Sequence, residues 1–258
     1  MKEGFDNRIV EYEYIHSIDP KDTAALVNAI DPKDGQIILD GMCGYGSVAK
    51  SILEKNKSVA IYLLDESSVQ IKRARKNLPL LTSGRFITRK FTYSKLKLEY
   101  FDTVVIKMGL HEVSKKDQIA VLKESFRILK PTGKLVIWDI MLDDMTQKLF
   151  QKIIKKKDKL AGYNMLVKER YFFREEEFIK NVKRAGFRKI NDFHSINYRF
   201  SSLKRLESEL HNNFIKLNKF NEYIRDIFPK KLRDKMEYKD INPDIQFNIK
   251  KKIFKIEK

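Results

Sequence analysis

The 258-residue chain is predicted to be an α/β protein built on a mostly parallel sheet with helices on both faces. Three observations predict this. Short β-rich runs alternate with amphipathic helical stretches over the first two-thirds of the sequence. A glycine-rich loop follows the first strand candidate, and the length allows one sizeable core with an appendage.

Taken in order, residues 36–40 form a buried strand candidate, 47–55 a helix, 59–64 a strand and 67–77 a helix. Leu78-Pro79 and Ser83-Gly84 punctuate the chain before a strand at 86–88, and 102–107 (DTVVIK) reads as the next. Ser114-Lys115-Lys116-Asp117 resembles a capping box opening a helix whose apolar face is Ile119, Leu122, Phe126 and Leu129. Lys130-Pro131-Thr132-Gly133 ends that helix, and 134–140 (KLVIWDI) is a fifth strand. Beyond Leu142 follow a lysine-rich helix over 143–160, a second helix over 174–185 closed by Gly186, and a pair of strands at 187–193 and 195–200. From Ser201 the chain is expected to be mostly helical to Phe228, stopped by Pro229, and to end in a lysine-rich tail. No Gly/Ser linker intervenes. Residues 1–200 are therefore expected to form the domain, with 143–174 as a lid, and 201–258 to be a basic helical extension packed on it. Leu203, Leu206, Leu210, Phe214 and Leu217 share one helix face, which could cover the domain or pair a homodimer.

The formal net charge is +18, carried mostly by lysine, a bias common in AT-rich genomes. Residues 1–142 hold 23 basic and 18 acidic side chains, whereas residues 143–258 hold 30 and 17. Such a surplus suits nucleic acid, an anionic membrane or acidic small molecules; lysines dispersed on solvated helix faces would produce the same count. The single cysteine, Cys43, excludes an internal disulfide or a cysteine-rich metal site, and no His, Asp or Glu spacing suggests a metal. No apolar run approaches a membrane span. The acidic, aromatic start lacks the order of a signal peptide, so a cytoplasmic protein is expected.

The loop ILDGMCGYGSVA (residues 38–49) poses the functional question. Gly44-Tyr45-Gly46-Ser47-Val48-Ala49 matches the dinucleotide fingerprint, and Asp65 lies at the spacing of a ribose-binding acid. Yet the strand ends in Asp40, and Gly41-Met42-Cys43 separate it from the paired glycines. A carboxylate there would repel a pyrophosphate and attract an ammonium. S-adenosylmethionine, with a ribose and an ammonium but no phosphate, has the required outline.

Five motifs in order resemble those of class I S-adenosylmethionine-dependent methyltransferases, in the small-molecule branch similar to ubiquinone/menaquinone C-methyltransferases. They are ILDGMCGYG, YLLDES, FDTVVIKMGLHEV, FRILKPTGKLVIWDI and ERYFFREEEFIKNVKRAGF, and the likeness covers about residues 20–200. It implies a Rossmann-like seven-stranded sheet with the last strand antiparallel, and S-adenosyl-L-methionine as cofactor. Carried onto this sequence, the cofactor residues are Asp40, Gly41, Met42, Cys43, Gly44, Gly46, Asp65, Glu66, Lys90, Phe91, Lys107 and Met108. The family's acidic residue after the third strand is replaced here by Arg89-Lys90-Phe91, which leaves adenine to backbone groups or to stacking by Phe91.

His111, at the rim after the fourth strand, is the candidate general base, with Glu112 orienting it or binding substrate. Packing under the cofactor is the structural alternative. Tyr12, Tyr14 and His16 on the N-terminal arm, and Tyr163, Tyr171 and Phe172 in the lid, are candidates for the acceptor site, suited to a flat or lipophilic molecule. The fourth strand is not followed by the N/D-P-P-Y/F run of amino-directed nucleic-acid enzymes, nor by a catalytic cysteine. The expected activity is therefore methyl transfer to a small organic acceptor, with O- or C-methylation favoured. The alternatives are an RNA or protein methyltransferase docking through the basic C-terminal half, and a noncatalytic binding or scaffold protein.

Overall fold

A computed structural model describes residues 19–258. Helix α1 (Pro20–Ile30) leads into β1 (Ile37–Gly41), α2 (Ser47–Lys55), β2 (Ala60–Asp65), α3 (Ser68–Asn77), β3 (Phe86–Thr88), β4 (Phe101–Lys107), α4 (Lys115–Ile128) and β5 (Leu129–Ile140). Then come α5 (Asp144–Ala161), α6 (Asn164–Glu169), α7 (Glu175–Arg184), β6 (Lys189–Ser201), α8 (Lys204–Ser208), α9 (Phe214–Ile227), α10 (Lys230–Arg233), β7 (Lys239–Ile241) and β8 (Asp244–Glu257). The sheet order is β3-β2-β1-β4-β5-β8-β6, with β7 paired to β8. Strands β1 to β5 pair in parallel, and β8 runs antiparallel to both β5 and β6. This is the expected Rossmann-like architecture.

The chain winds outward from β1 to β3, then crosses back to β4 and β5. The loops after β1 and β4 consequently part at the strand C-terminal ends and open a crevice, the usual ligand site of such sheets. Ile38, Leu39, Leu63, Leu64, Val104, Val105, Ile106 and Val136 are fully buried, as strands covered on both faces require. Local chemistry sets the helix starts. Ser67 and Ser114 cap α3 and α4 by accepting the Gln70 and Asp117 amide hydrogens, and Asp143 with Thr146 forms a capping box for α5, which Gly162 ends in the left-handed conformation.

Two expectations are corrected. Residues 189–201 form one strand, not a pair; the register shifts between Asp192 and His194, and the half-exposed Phe193 in the bulge breaks the alternation that would mark a continuous strand. The tail is not a helical appendage. Helices fill it only to Arg233, after which β8 enters the sheet between β5 and β6 and completes the domain. Ile245, Phe247, Ile249, Lys251 and Ile253 alternate inward along β8, a period-2 pattern hidden among lysines. The proposed dimer face is largely used internally, since Leu206, Leu210 and Leu217 are buried while Leu203 and Phe214 are exposed. Among the described residues no helix is long and apolar enough to cross a membrane.

Candidate active site

The crevice is a cavity of about 1040 Å³, above the usual range for a single small ligand and large enough for two side by side. One half is walled by the β1 loop. Asp40, Met42, Cys43 and Gly44 line it, while Gly41 and Gly46 shape it from behind. A Cβ on Gly41 would sit 2.3 Å from the Phe91 ring, and Gly46 takes a φ of 81° where a Cβ would meet Leu63 at 2.9 Å. Only glycine fits either place. Met42, itself at φ 57°, packs against the β4 loop, where a Cβ on Gly109 would lie 2.8 Å from the Met42 Cβ. The two loops thus interlock, which accounts for the bulky residue in a glycine turn.

Asp40 is 1% exposed and accepts the Ala49 amide hydrogen at 3.1 Å. Burial pushes its pKa up to about 8, opposed by the Ala49 amide and by Lys107, and aided by Asp65. Such a carboxyl ionises fully only beside a cation. The Cys43 thiol, raised by burial and then by Asp40 and Asp65, stays protonated and offers no nucleophile. The Asp65 carboxylate is oriented by the Gly44 and Ser67 amides at 2.8 and 2.9 Å. Glu66, Lys90, Phe91, Lys107 and Met108 also line the cavity. Lys90 pairs with Asp117 at 2.9 Å, and the Lys107 ammonium lies 5.1 Å from the centroid of the Trp138 ring.

The other half begins at His111 and Glu112, in the turn after β4. His111 is buried between two carboxylates: Nδ1 lies 2.5 Å from Asp139 and Nε2 3.3 Å from Glu112. Burial disfavours the imidazolium, but Asp139 and Glu112 outweigh it and raise the pKa to about 9. The ring stacks on Phe172 with centroids 5.0 Å apart. Arg170 grips Glu112 at 2.6 and 2.8 Å and Asp158 at 2.9 and 3.0 Å. Phe150, Ile154, Lys157, Tyr198, Arg205 and Glu209 complete the wall.

The expected cofactor residues and the expected catalytic pair thus share one cavity. Of the acceptor candidates, Phe172 lines it. Tyr163 is buried outside it, and Tyr171 turns away, donating its hydroxyl to Glu177 at 2.7 Å and carrying Lys115 over its ring. Tyr12, Tyr14 and His16 lie outside the described residues. Asp139, Asp158, Lys157, Arg170, Tyr198, Arg205 and Glu209 were not foreseen; for those beyond residue 143 the only local signal was a surplus of charge. Beneath a lining surface that is still mostly apolar, the wall therefore carries a buried network of paired charges.

An open sheet of this order, with a glycine loop and an acid at each of its first two strand ends, is the architecture of the class I S-adenosylmethionine-dependent methyltransferases. The buried Asp40 carboxyl and the close-packed glycine turn fit that cofactor's cationic end. A family model described as a methyltransferase domain matches residues 38–133. The chain is 27% identical over 178 residues to a ubiquinone/menaquinone biosynthesis C-methyltransferase of Ruegeria sp. (strain TM1040), covering 63% of this chain and 70% of that one. It is 30% identical over 132 residues to an O-methyltransferase of Pyrenophora dematioidea, covering 47% and 46%. In fold it resembles Haemonchus contortus phosphoethanolamine N-methyltransferase 2 solved with S-adenosylmethionine, with a TM-score of 0.57, 18% identity, and coverage of 96% of this chain and 56% of that one.

Proposed function

We propose that the protein methylates an oxygen or an acidic carbon of a small acceptor, with His111 holding the oxygen on which negative charge gathers. Bound S-adenosylmethionine supplies an electrophilic methyl group. Asp40 would receive its ammonium, Asp65 and Glu66 its ribose hydroxyls, and the Phe91 ring its adenine. These residues fix one reactant, and Lys107 to Glu112 form the rim where the other must approach; such placement can supply much of a rate enhancement.

The observation that carries the reading is the Asp139-His111-Glu112 array in the cavity wall. A histidine with a pKa near 9 keeps both ring protons at neutral pH: Nδ1–H serves Asp139, and Nε2–H, at the longer 3.3 Å from Glu112, would be the donor shared with an acceptor oxygen, in place of the general base expected from sequence. Donation from a buried imidazolium stabilises a phenolate or enolate, lowers the acceptor's pKa and so raises the fraction present as the nucleophilic anion, its proton leaving to solvent. Asp139 fixes the ring, and Glu112, held by Arg170, sets its tilt.

The test is S-adenosylhomocysteine release over phenolic and enolic acceptors across pH. His111→Gln should lower the rate roughly 10²-fold to 10³-fold, and wild-type activity should fall above about pH 9 as the imidazolium is lost. Activity that rises through that pH, or an unimpaired variant, would overturn the donor role.

A further inference from the structure

Ions buried without partners are costly, so the pairing along the acceptor wall can be followed to its end. His111 faces Asp139, Arg170 spans Glu112 and Asp158, and Lys157 spans Asp158 and Glu209. Every buried carboxylate on this wall therefore already has a cation. Arg205, 3% exposed, comes last in the chain of pairs. Its Nε lies 3.6 Å from a Glu209 oxygen that belongs to a carboxylate shared with Lys157, and its Nη2 hydrogen-bonds the Tyr198 hydroxyl. The remaining terminal nitrogen, Nη1, has no hydrogen-bond partner among the described residues. Lys251 of β8, 2% exposed, sits against the same Tyr198 ring at 3.6 Å and makes no ion pair among the described residues. Burial first, and then repulsion from Arg205 and Lys107, lowers its pKa to about 7, against the pull of Asp139 and Asp22.

We propose that this corner is an anion subsite, and that the methyl acceptor is an acid whose carboxylate or phosphate binds Arg205 while its reacting atom faces His111. The inference rests on the cavity being a methyltransferase's acceptor chamber. A guanidinium presents a planar fork that matches either oxyanion. The Phe200 ring, 4.6 Å from the guanidinium carbon, and the Tyr198 hydroxyl hold that fork in one orientation. A neutral lipophilic acceptor would instead leave the buried Arg205 Nη1 without a hydrogen-bond acceptor. Part of the basic surplus of the C-terminal half thus points into the chamber, where it selects an acid, and is not available on the surface to dock RNA.

Calorimetry on the full chain tests this with 4-hydroxybenzoate, 4-hydroxyphenyl phosphate and the neutral 4-hydroxybenzamide, each titrated with and without S-adenosylhomocysteine. At least one anion should bind about tenfold or more tighter than the amide, and the tighter of the two identifies carboxylate or phosphate as the natural group. Arg205→Gln should remove the preference and leave S-adenosylhomocysteine affinity unchanged; Lys251→Met, which replaces a buried amine with an apolar chain, should weaken it. Equal binding of amide and anions by the wild type, no anion binding up to roughly 10 mM, or a preference that survives Arg205→Gln would overturn the proposal. Failure of S-adenosylhomocysteine to bind would strike the cofactor reading alone, because the anion preference is also measured on the unloaded protein.

Discussion

Replacing Asp40 with Asn should stabilise the ligand-free protein at alkaline pH while weakening cofactor binding. The carboxyl is fully buried, with a folded-state pKa of about 8 against an ordinary value of 3.8. The pKa is raised, so the folded state binds the proton more tightly than the unfolded chain. Its stabilising contribution is complete below about pH 4 and is lost as pH rises toward 8. Between pH 5 and 8 that loss is on the order of 4 kcal/mol, taking 1.36 kcal/mol per unit. Asn keeps an acceptor for the Ala49 amide and does not titrate. The melting temperature of Asp40→Asn should therefore gain on the wild type by roughly 10 °C over that interval, at a few degrees per kcal/mol for a chain of this size. Scanning fluorimetry at several pH values, with and without S-adenosylhomocysteine, reads both effects. A gap independent of pH would refute the buried, protonated carboxyl. A variant that keeps the full ligand-induced shift would refute its part in binding the ammonium.

The loop interlock predicts that Gly109→Ala, whose Cβ would press on Met42, costs about 1–3 kcal/mol in denaturant unfolding and weakens cofactor affinity with it. Cys43, buried and with its thiol pKa raised, should resist iodoacetamide at pH 8 in the native protein and react once unfolded, as mass spectrometry would show. A chain ending at residue 243 lacks β8, which lies between β5 and β6; it should show no cooperative thermal transition in circular dichroism.

Strands β1 to β5 and the helices between them were readable from the sequence because each obeys one period and ends at clear punctuation. The bulge at Phe193 hid the continuity of β6, and the lysines of β8 hid its alternation, since a period of two is hard to see when three adjacent lysines interrupt it. The glycine loop and the acids after β1 and β2 were equally legible, because backbone approach and charge demand particular residue types at fixed spacing. The charged acceptor wall was not. Lys157 and Asp158 stand in the run KKKDK, and Arg205 in a lysine-rich tail, so nothing local separates them from a solvated face. Only the packing of α5 and α8 over the strand ends turns those side chains inward. Tyr163 and Tyr171 lie outside the cavity lining for the converse reason: an aromatic in a lid is as useful for packing as for contact with a ligand.

The most direct measurement is calorimetric titration with S-adenosylhomocysteine in the presence and absence of NAD. The expected result is saturable one-to-one binding that NAD does not compete for and that Asp40→Asn and Asp65→Ala each weaken by about 10²-fold, the cost of a lost charged contact or hydrogen-bond pair. Binding indifferent to both substitutions, or displaced by the dinucleotide, would contradict the assignment of the β1 loop.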